Sequence, residues 1–163
     1  MGLDTYAAKV LVEDGQRCLS TDLPSRVFYS TTVKCHDGSL RTITRSTADG
    51  FEKVPAMTSG MMSGDGNSGS FRGKCYAGLV QEVTGYSLYE EELPPPVVEL
   101  MAADLRRSAD MNVLKMPVDE AWQVICDPEA ALDSDLYLAY DLNALACWFE
   151  ACASKGYSVI GWW

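Results

Sequence analysis

The chain has 163 residues, 47% of them hydrophobic and 22% charged, and its 13 basic and 23 acidic side chains give a formal net charge of −10. A chain of this length fits one domain that buries about 70% of its unfolded surface without help from a metal or disulfide, so 1–163 reads as a single domain and disorder is excluded as the default. The negative charge argues against direct binding of nucleic acid or an anionic membrane and favours a basic partner.

The imbalance is confined to one half. Residues 1–85 hold nine acids and nine bases, whereas residues 86–163 hold fourteen acids and only Arg106, Arg107, Lys115 and Lys155 as bases. An acidic surface most often serves solubility alone. Gathered on one face, the same carboxylates would steer a cationic protein into contact. No stretch reaches the ~18 apolar residues of a membrane helix. Asp4 stands early, the start lacks the basic residues of a secretion signal, and Tyr6 stands where a myristoylated Gly2 start needs Ser or Thr, so the expected compartment is the cytoplasm.

In chain order, Tyr6 to Val12 is a short apolar strand. Arg26 to Lys34 and Ser39 to Arg45, joined across Asp37-Gly38, predict a β-hairpin over 26–45. Residues 46–70, dominated by Gly, Ser, Thr, Met and Asp, read as a long loop. From Gly73, Tyr76, Leu79, Val80 and Val83 recur at helical spacing until Gly85. Tyr86 to Glu92 is a connector. Pro94 to Pro96 open a second helix with Val97, Leu100, Met101 and Leu105 on its apolar face and Arg106 and Arg107 at its C-terminal end.

Pro117 to Cys126 reads as a short helix carrying Ala121, Trp122 and Ile125. Leu138, Leu142, Leu145, Phe149 and Cys152 then line one face of a final helix ended by Gly156. Tyr157 to Trp163 is a terminal strand whose Trp162 and Trp163 are expected to pin it to the core; the four tryptophans, Trp122 and Trp148 included, are otherwise candidates for an interface. The expected fold class is therefore α+β: a small antiparallel or mixed sheet, built from the N-terminal strand, the 26–45 hairpin and the C-terminal strand, packed against about four helices.

Six cysteines (Cys18, Cys35, Cys75, Cys126, Cys147 and Cys152) show no Cys-x-x-Cys pair, and His36 is the only histidine. Reduced thiols are expected, with neither a metal site nor a cofactor.

Three segments carry a resemblance: MGLDTYA at the start, SGDGNSGSFRGKCYAGLVQEVTGYSLYEE at 63–91, and the closing GWW. Together they resemble a scattered group of bacterial and phage proteins that open with MGLD-x-YA. The resemblance covers about half the chain and treats 18–55, with its hairpin, as an addition. It implies that 63–76 form one unit with the helix that follows, and it assigns no catalytic role to any residue.

The stretch Gly64 to Lys74 contains GxGxxG ahead of a helix. Gly64, Gly66, Ser68, Gly69 and Ser70, with Arg72 and Lys74, could cradle an anion on backbone amides. No strand with a following acidic residue completes a dinucleotide fingerprint, and Ser68 and Cys75 break the P-loop pattern at Gly73-Lys74. The plainer reading is a loop whose glycines satisfy turn geometry. Cys75, close to Arg72 and Lys74, has only His36 as a possible base. The carboxylate clusters show no spacing that fixes acid–base or magnesium chemistry.

The sequence therefore leads to an acidic, non-catalytic module that engages a basic protein, for example one that binds nucleic acid. A phage anti-defence factor such as an anti-CRISPR protein, or a toxin-immunity factor, has this physical profile. Its contacts are expected at Glu90, Glu91, Glu92, Glu99, Asp104, Asp133, Asp135 and Asp141. The alternative is an enzyme or sensor holding a phosphorylated small molecule in the loop 64–74. Oligomeric state is left open.

Overall fold

Asp14 and Gly15 adopt left-handed φ angles of 50° and 77°, the backbone that a two-residue type I′ turn requires. They join β1 (Asp4–Glu13) to β2 (Gln16–Ser20), with Glu13 opposite Gln16 and Lys9 opposite Ser20. The computed structural model describes residues 2–59, 69–127, 130–131 and 135–162, and for Phe28, Tyr29 and Arg45 the backbone alone. β1 is the centre of the main sheet. Its Thr5 and Tyr6 pair on one edge with β5 (Ser70–Phe71) and on the other with β6 (Ser158–Trp162). Every pairing is antiparallel, and Leu93 extends the far edge of β6 through Val159.

The chain ends thus meet in one sheet, as the patterning predicts. The hairpin does not join it. β3 (Ser25–Lys34) and β4 (Leu40–Ala48) form a separate two-stranded ribbon, closed at Asp37-Gly38, where Asp37 Oδ1 accepts from the amide and hydroxyl of Ser39 at 2.9 and 2.6 Å. These bonds hold the Asp37 carboxyl below its usual pKa.

Two long helices cover the sheet. α2 (Pro95–Leu114) packs Val98, Met101, Ala102, Leu105 and Ala109 into one core with Leu142, Leu145, Phe149 and Cys152 of α4 (Tyr137–Lys155). α1 (Gly73–Thr84) adds Tyr76 and Val80, and its end is set by Gly85 at φ 77°, as that of α4 is by Gly156 at φ 65°. Trp148 is fully buried and meets Phe71 edge-on at 4.8 Å, with Phe51 and Phe149 also against it. The described residues thus form an α+β structure of four helices and small antiparallel sheets.

Several side chains lie elsewhere than their spacing suggests. Leu100 and Leu138 are exposed: Leu100 lies off the Val98–Met101–Leu105 stripe that meets the core, and Leu138 precedes the first buried residues of its helix, Tyr140 to Leu142. Arg106 and Arg107 are mid-helix, since α2 runs on to Leu114. β4 takes in residues 46–48 of the expected loop, and 49–59, which is loop as expected, buries Phe51 and Met57. Trp162 is 70% exposed, and β6 is held through Tyr157, Ser158 and Val159 instead; Trp163 lies outside the described residues.

Candidate functional site

Of the glycine-loop residues, Gly64, Gly66 and Ser68 lie outside the described residues. Gly69 and Ser70 are buried: Gly69, just before β5, accepts from the Ala7 amide at 2.7 Å, and Ser70, in β5, sits opposite Tyr6. Arg72 and Lys74 are exposed at the start of α1. The first-turn amides that would greet an anion are partly engaged. Lys74 donates to the Leu3 carbonyl at 3.1 Å and Cys75 to the Arg72 carbonyl at 3.1 Å. The Cys75 thiol contacts the Ser59 carbonyl at 3.5 Å, while His36 stands at the ribbon tip, and no hydrogen bond joins the two.

Next to this segment is a buried polar cluster that the sequence reading places on the surface. Asp141 is 3% exposed. Its carboxylate accepts from the Thr58 amide at 2.7 Å, from the Thr58 hydroxyl, and from the Tyr76 phenol at 3.2 Å. The Tyr76 oxygen in turn accepts from the Ser59 amide at 3.0 Å, and Tyr140 donates to the Ala56 carbonyl at 2.8 Å. Burial pushes the Tyr76 phenol up to about 12. Three donors satisfy the carboxylate, so the cluster ties 56–59 to α1 and α4, and Asp141 is withdrawn from any contact with a partner.

The other carboxylates divide. Glu92 pairs with Arg17 and accepts from Ser158 at 2.6 Å; the hydrogen bonds from Arg17 first, against the opposing effect of burial, leave its carboxyl below the usual range. Asp104 pairs with Arg107 at 3.2 Å. Glu90, Glu91, Glu99 and Asp135 are exposed, and among the described residues no ion pair reaches them. Asp133 lies outside the described residues. Between Lys115 and Lys155 there is no base at all and there are eight acids (Asp119, Glu120, Asp127, Glu129, Asp133, Asp135, Asp141 and Glu150).

Within that stretch lies α3 (Val118–Cys126), whose orientation the sequence does not reveal. Val118, Trp122 and Ile125 follow i, i+4, i+7 spacing, which normally turns a helix face to the core. Here that face is outward: Val118 is 86%, Trp122 66% and Ile125 58% exposed, and only Val124 is buried. Leu114, at the corner leading into α3, is 79% exposed. Asp119 and Asp127 are exposed on and beside the same helix. An apolar helix face with a tryptophan at its centre and carboxylates around it has the make-up of a docking surface.

Between α2 and α4, Ala102, Ala103 and Ala153 floor an open cavity of about 500 Å³. Its walls are occupied by their own ion pairs. Arg106 donates to both Glu150 oxygens at 2.7 and 2.8 Å, to Asn143 at 2.9 Å and to the Cys147 sulfur at 3.2 Å. All six cysteines are free thiols, and no helix among the described residues is long and apolar enough to cross a membrane. No protein-family model, curated protein or solved structure matches the chain.

Proposed function

We propose that this protein is a non-catalytic binding module whose acidic helical half engages a basic protein, with α3 as the contact element. The observation that carries the reading is the outward turn of Val118, Trp122 and Ile125 within a stretch that contains no lysine or arginine. Apolar anchors supply affinity once desolvated, and Trp is a favoured anchor residue. Asp119 and Asp127, on and beside α3, supply local steering toward a cationic groove and selection against acidic surfaces, and Glu90, Glu91, Glu99 and Asp135 add exposed negative charge elsewhere on the acidic half. A competitor for the groove of a nucleic-acid-binding enzyme or toxin is the form of action that this combination suits.

The test is affinity capture from lysate with wild type, Trp122→Ala and Asp119→Lys/Asp127→Lys at about 0.1 M and about 1 M salt, since a Debye length of roughly 3 Å at the higher value screens exposed charges. A basic protein held by wild type at low salt, and lost with either variant, is the expected result. The same proteins captured by all three forms would overturn the assignment to α3.

A further inference from the structure

The ribbon is the opposite of the body in charge. Residues 25–48 hold Arg26, Lys34, Arg41 and Arg45 against a single acid, Asp37, in a protein of net charge −10. Arg26 is engaged at the root, at 3.1 Å from Asp49, which also accepts from Lys155 at 2.9 Å. Beyond that root the ribbon stands clear: every described side chain from Arg26 to Thr44 is exposed except that of Cys35, which is half-buried. A lone two-stranded hairpin is marginally stable in water, so an uncovered ribbon this long gains from a covering surface.

Its two faces differ. Register places Thr31 opposite Ile43 and Val33 opposite Arg41, so one face carries two β-branched apolar side chains and a cation. The other carries a hydroxyl ladder, with Ser30 to Thr44 at 3.1 Å and Thr32 to Thr42 at 3.5 Å, and Lys34 opposite Leu40 beside the turn. The first face is apolar and cationic; the α3 face is apolar and anionic. They belong to the same chain, and among the described residues neither is covered by another element.

We propose that the ribbon of one copy docks its Val33–Arg41–Ile43 face on the Val118–Trp122–Ile125 face of a second copy, giving a weak head-to-tail or reciprocal self-association. Charge decides the occupant. Pairing ribbon to ribbon would bring two net-cationic strands together, and binding nucleic acid would bring a polyanion to a protein that is strongly anionic elsewhere. The α3 surface of another copy offers apolar anchors and the complementary sign at once. This inference rests on the proposed function only for the identity of the α3 face. Self-association would occlude that face and so regulate access of the basic partner.

A contact made by three side chains on each side belongs to the low-affinity class, so sedimentation velocity on the purified protein, from about a few to several hundred micromolar, is the measurement. Wild type is expected to self-associate at about 0.05 M salt and to weaken at least tenfold at about 1 M. Arg41→Glu/Ile43→Ser alone and Asp119→Lys/Trp122→Ala alone are each expected to remain monomeric, with unchanged circular dichroism because all four sites are exposed. An equimolar mixture is expected to form a mixed dimer through one wild-type interface, joining the intact ribbon of the second variant to the intact α3 of the first, and to grow no further. A wild type that stays monomeric at every concentration overturns the proposal while leaving partner capture untested by it. So does undiminished association of the ribbon variant, which places the interface away from the Val33–Arg41–Ile43 face, or tight binding of a random duplex DNA that the ribbon variant abolishes.

Discussion

The Tyr76 hydroxyl donates to the Asp141 carboxylate at 3.2 Å across two helices, and both groups are almost wholly out of water. The pair fastens α1 to α4 and, through Thr58 and Ser59, fixes the chain that leads from the ribbon toward α1. Tyr76→Phe would remove the donor to Asp141 and the acceptor for the Ser59 amide. A hydrogen bond to a charged group contributes about 2 kcal/mol, which in a domain of this size lowers Tm by about 4–8 °C. Thermal unfolding at neutral pH checks this.

The same tyrosine sets an alkaline limit. Burial raises the folded-state phenol to about 12 from an ordinary 10.0. A raised folded pKa means that the contribution is complete below pH 10, where both states are protonated, and is lost as pH climbs from about 10 to 12, where only the unfolded state ionises. Wild type should therefore lose stability over that window more steeply than Tyr76→Phe. Parallel melting curves for the two proteins would argue against burial of the phenol.

Arg106 and Glu150 form the corresponding fastening between α2 and α4, with two parallel hydrogen bonds. The pair is partly solvated, with side-chain exposures of 29% and 43%, so the coupling is expected to be near 1 kcal/mol rather than that of a fully buried pair. A double-mutant cycle with Arg106→Met and Glu150→Gln in urea measures it. Coupling below a few tenths of a kcal/mol would show that packing of the Arg106 stem, not its charge, holds the helices.

Local chemistry was legible in the sequence; long-range placement was only partly so. Gly85 and Gly156 mark the ends of α1 and α4 because a left-handed residue is a local demand. Asp14-Gly15 carries the same turn signal as Asp37-Gly38, and β2 goes unread only because its own residues alternate weakly. Asp141 offered a clue: it lies three residues after Leu138 and four before Leu145, inside the apolar row, where a carboxylate implies buried donors. The outward face of α3 had no such clue. Which side of a short amphipathic helix meets the core depends on where its neighbours dock, and Trp122 would satisfy either choice.

Val159, not Trp162, is expected to hold the terminal strand. Val159 is 1% exposed and pairs with both Ala7 and Leu93, whereas Trp162 is 70% exposed and, among the described aromatic side chains, meets the Tyr6 ring alone, at 6.4 Å between centroids. Val159→Ala should cost about 2 kcal/mol and Trp162→Ala less than about 1 kcal/mol. Denaturant midpoints rank the two, and the reverse order would mean that the tryptophan is drawn inward in solution.

Gly73 offers the sharpest test of the packing between β1 and α1. Alanine ordinarily favours a helix over glycine by up to about 1 kcal/mol. Here the added methyl group would land on the Thr5 hydroxyl and within 3.0 and 3.1 Å of Leu3 carbons, and all three residues are buried. Gly73→Ala is therefore expected to destabilise by about 1–3 kcal/mol, the usual cost of overpacking. Thr5 Oγ1 has no hydrogen-bond partner, so Thr5→Ala orphans nothing and opens the space the methyl needs. The double variant Thr5→Ala/Gly73→Ala should recover most of the loss in the same melting experiment. Additive destabilisation would mean that Leu3, rather than Thr5, is the side chain that cannot give way.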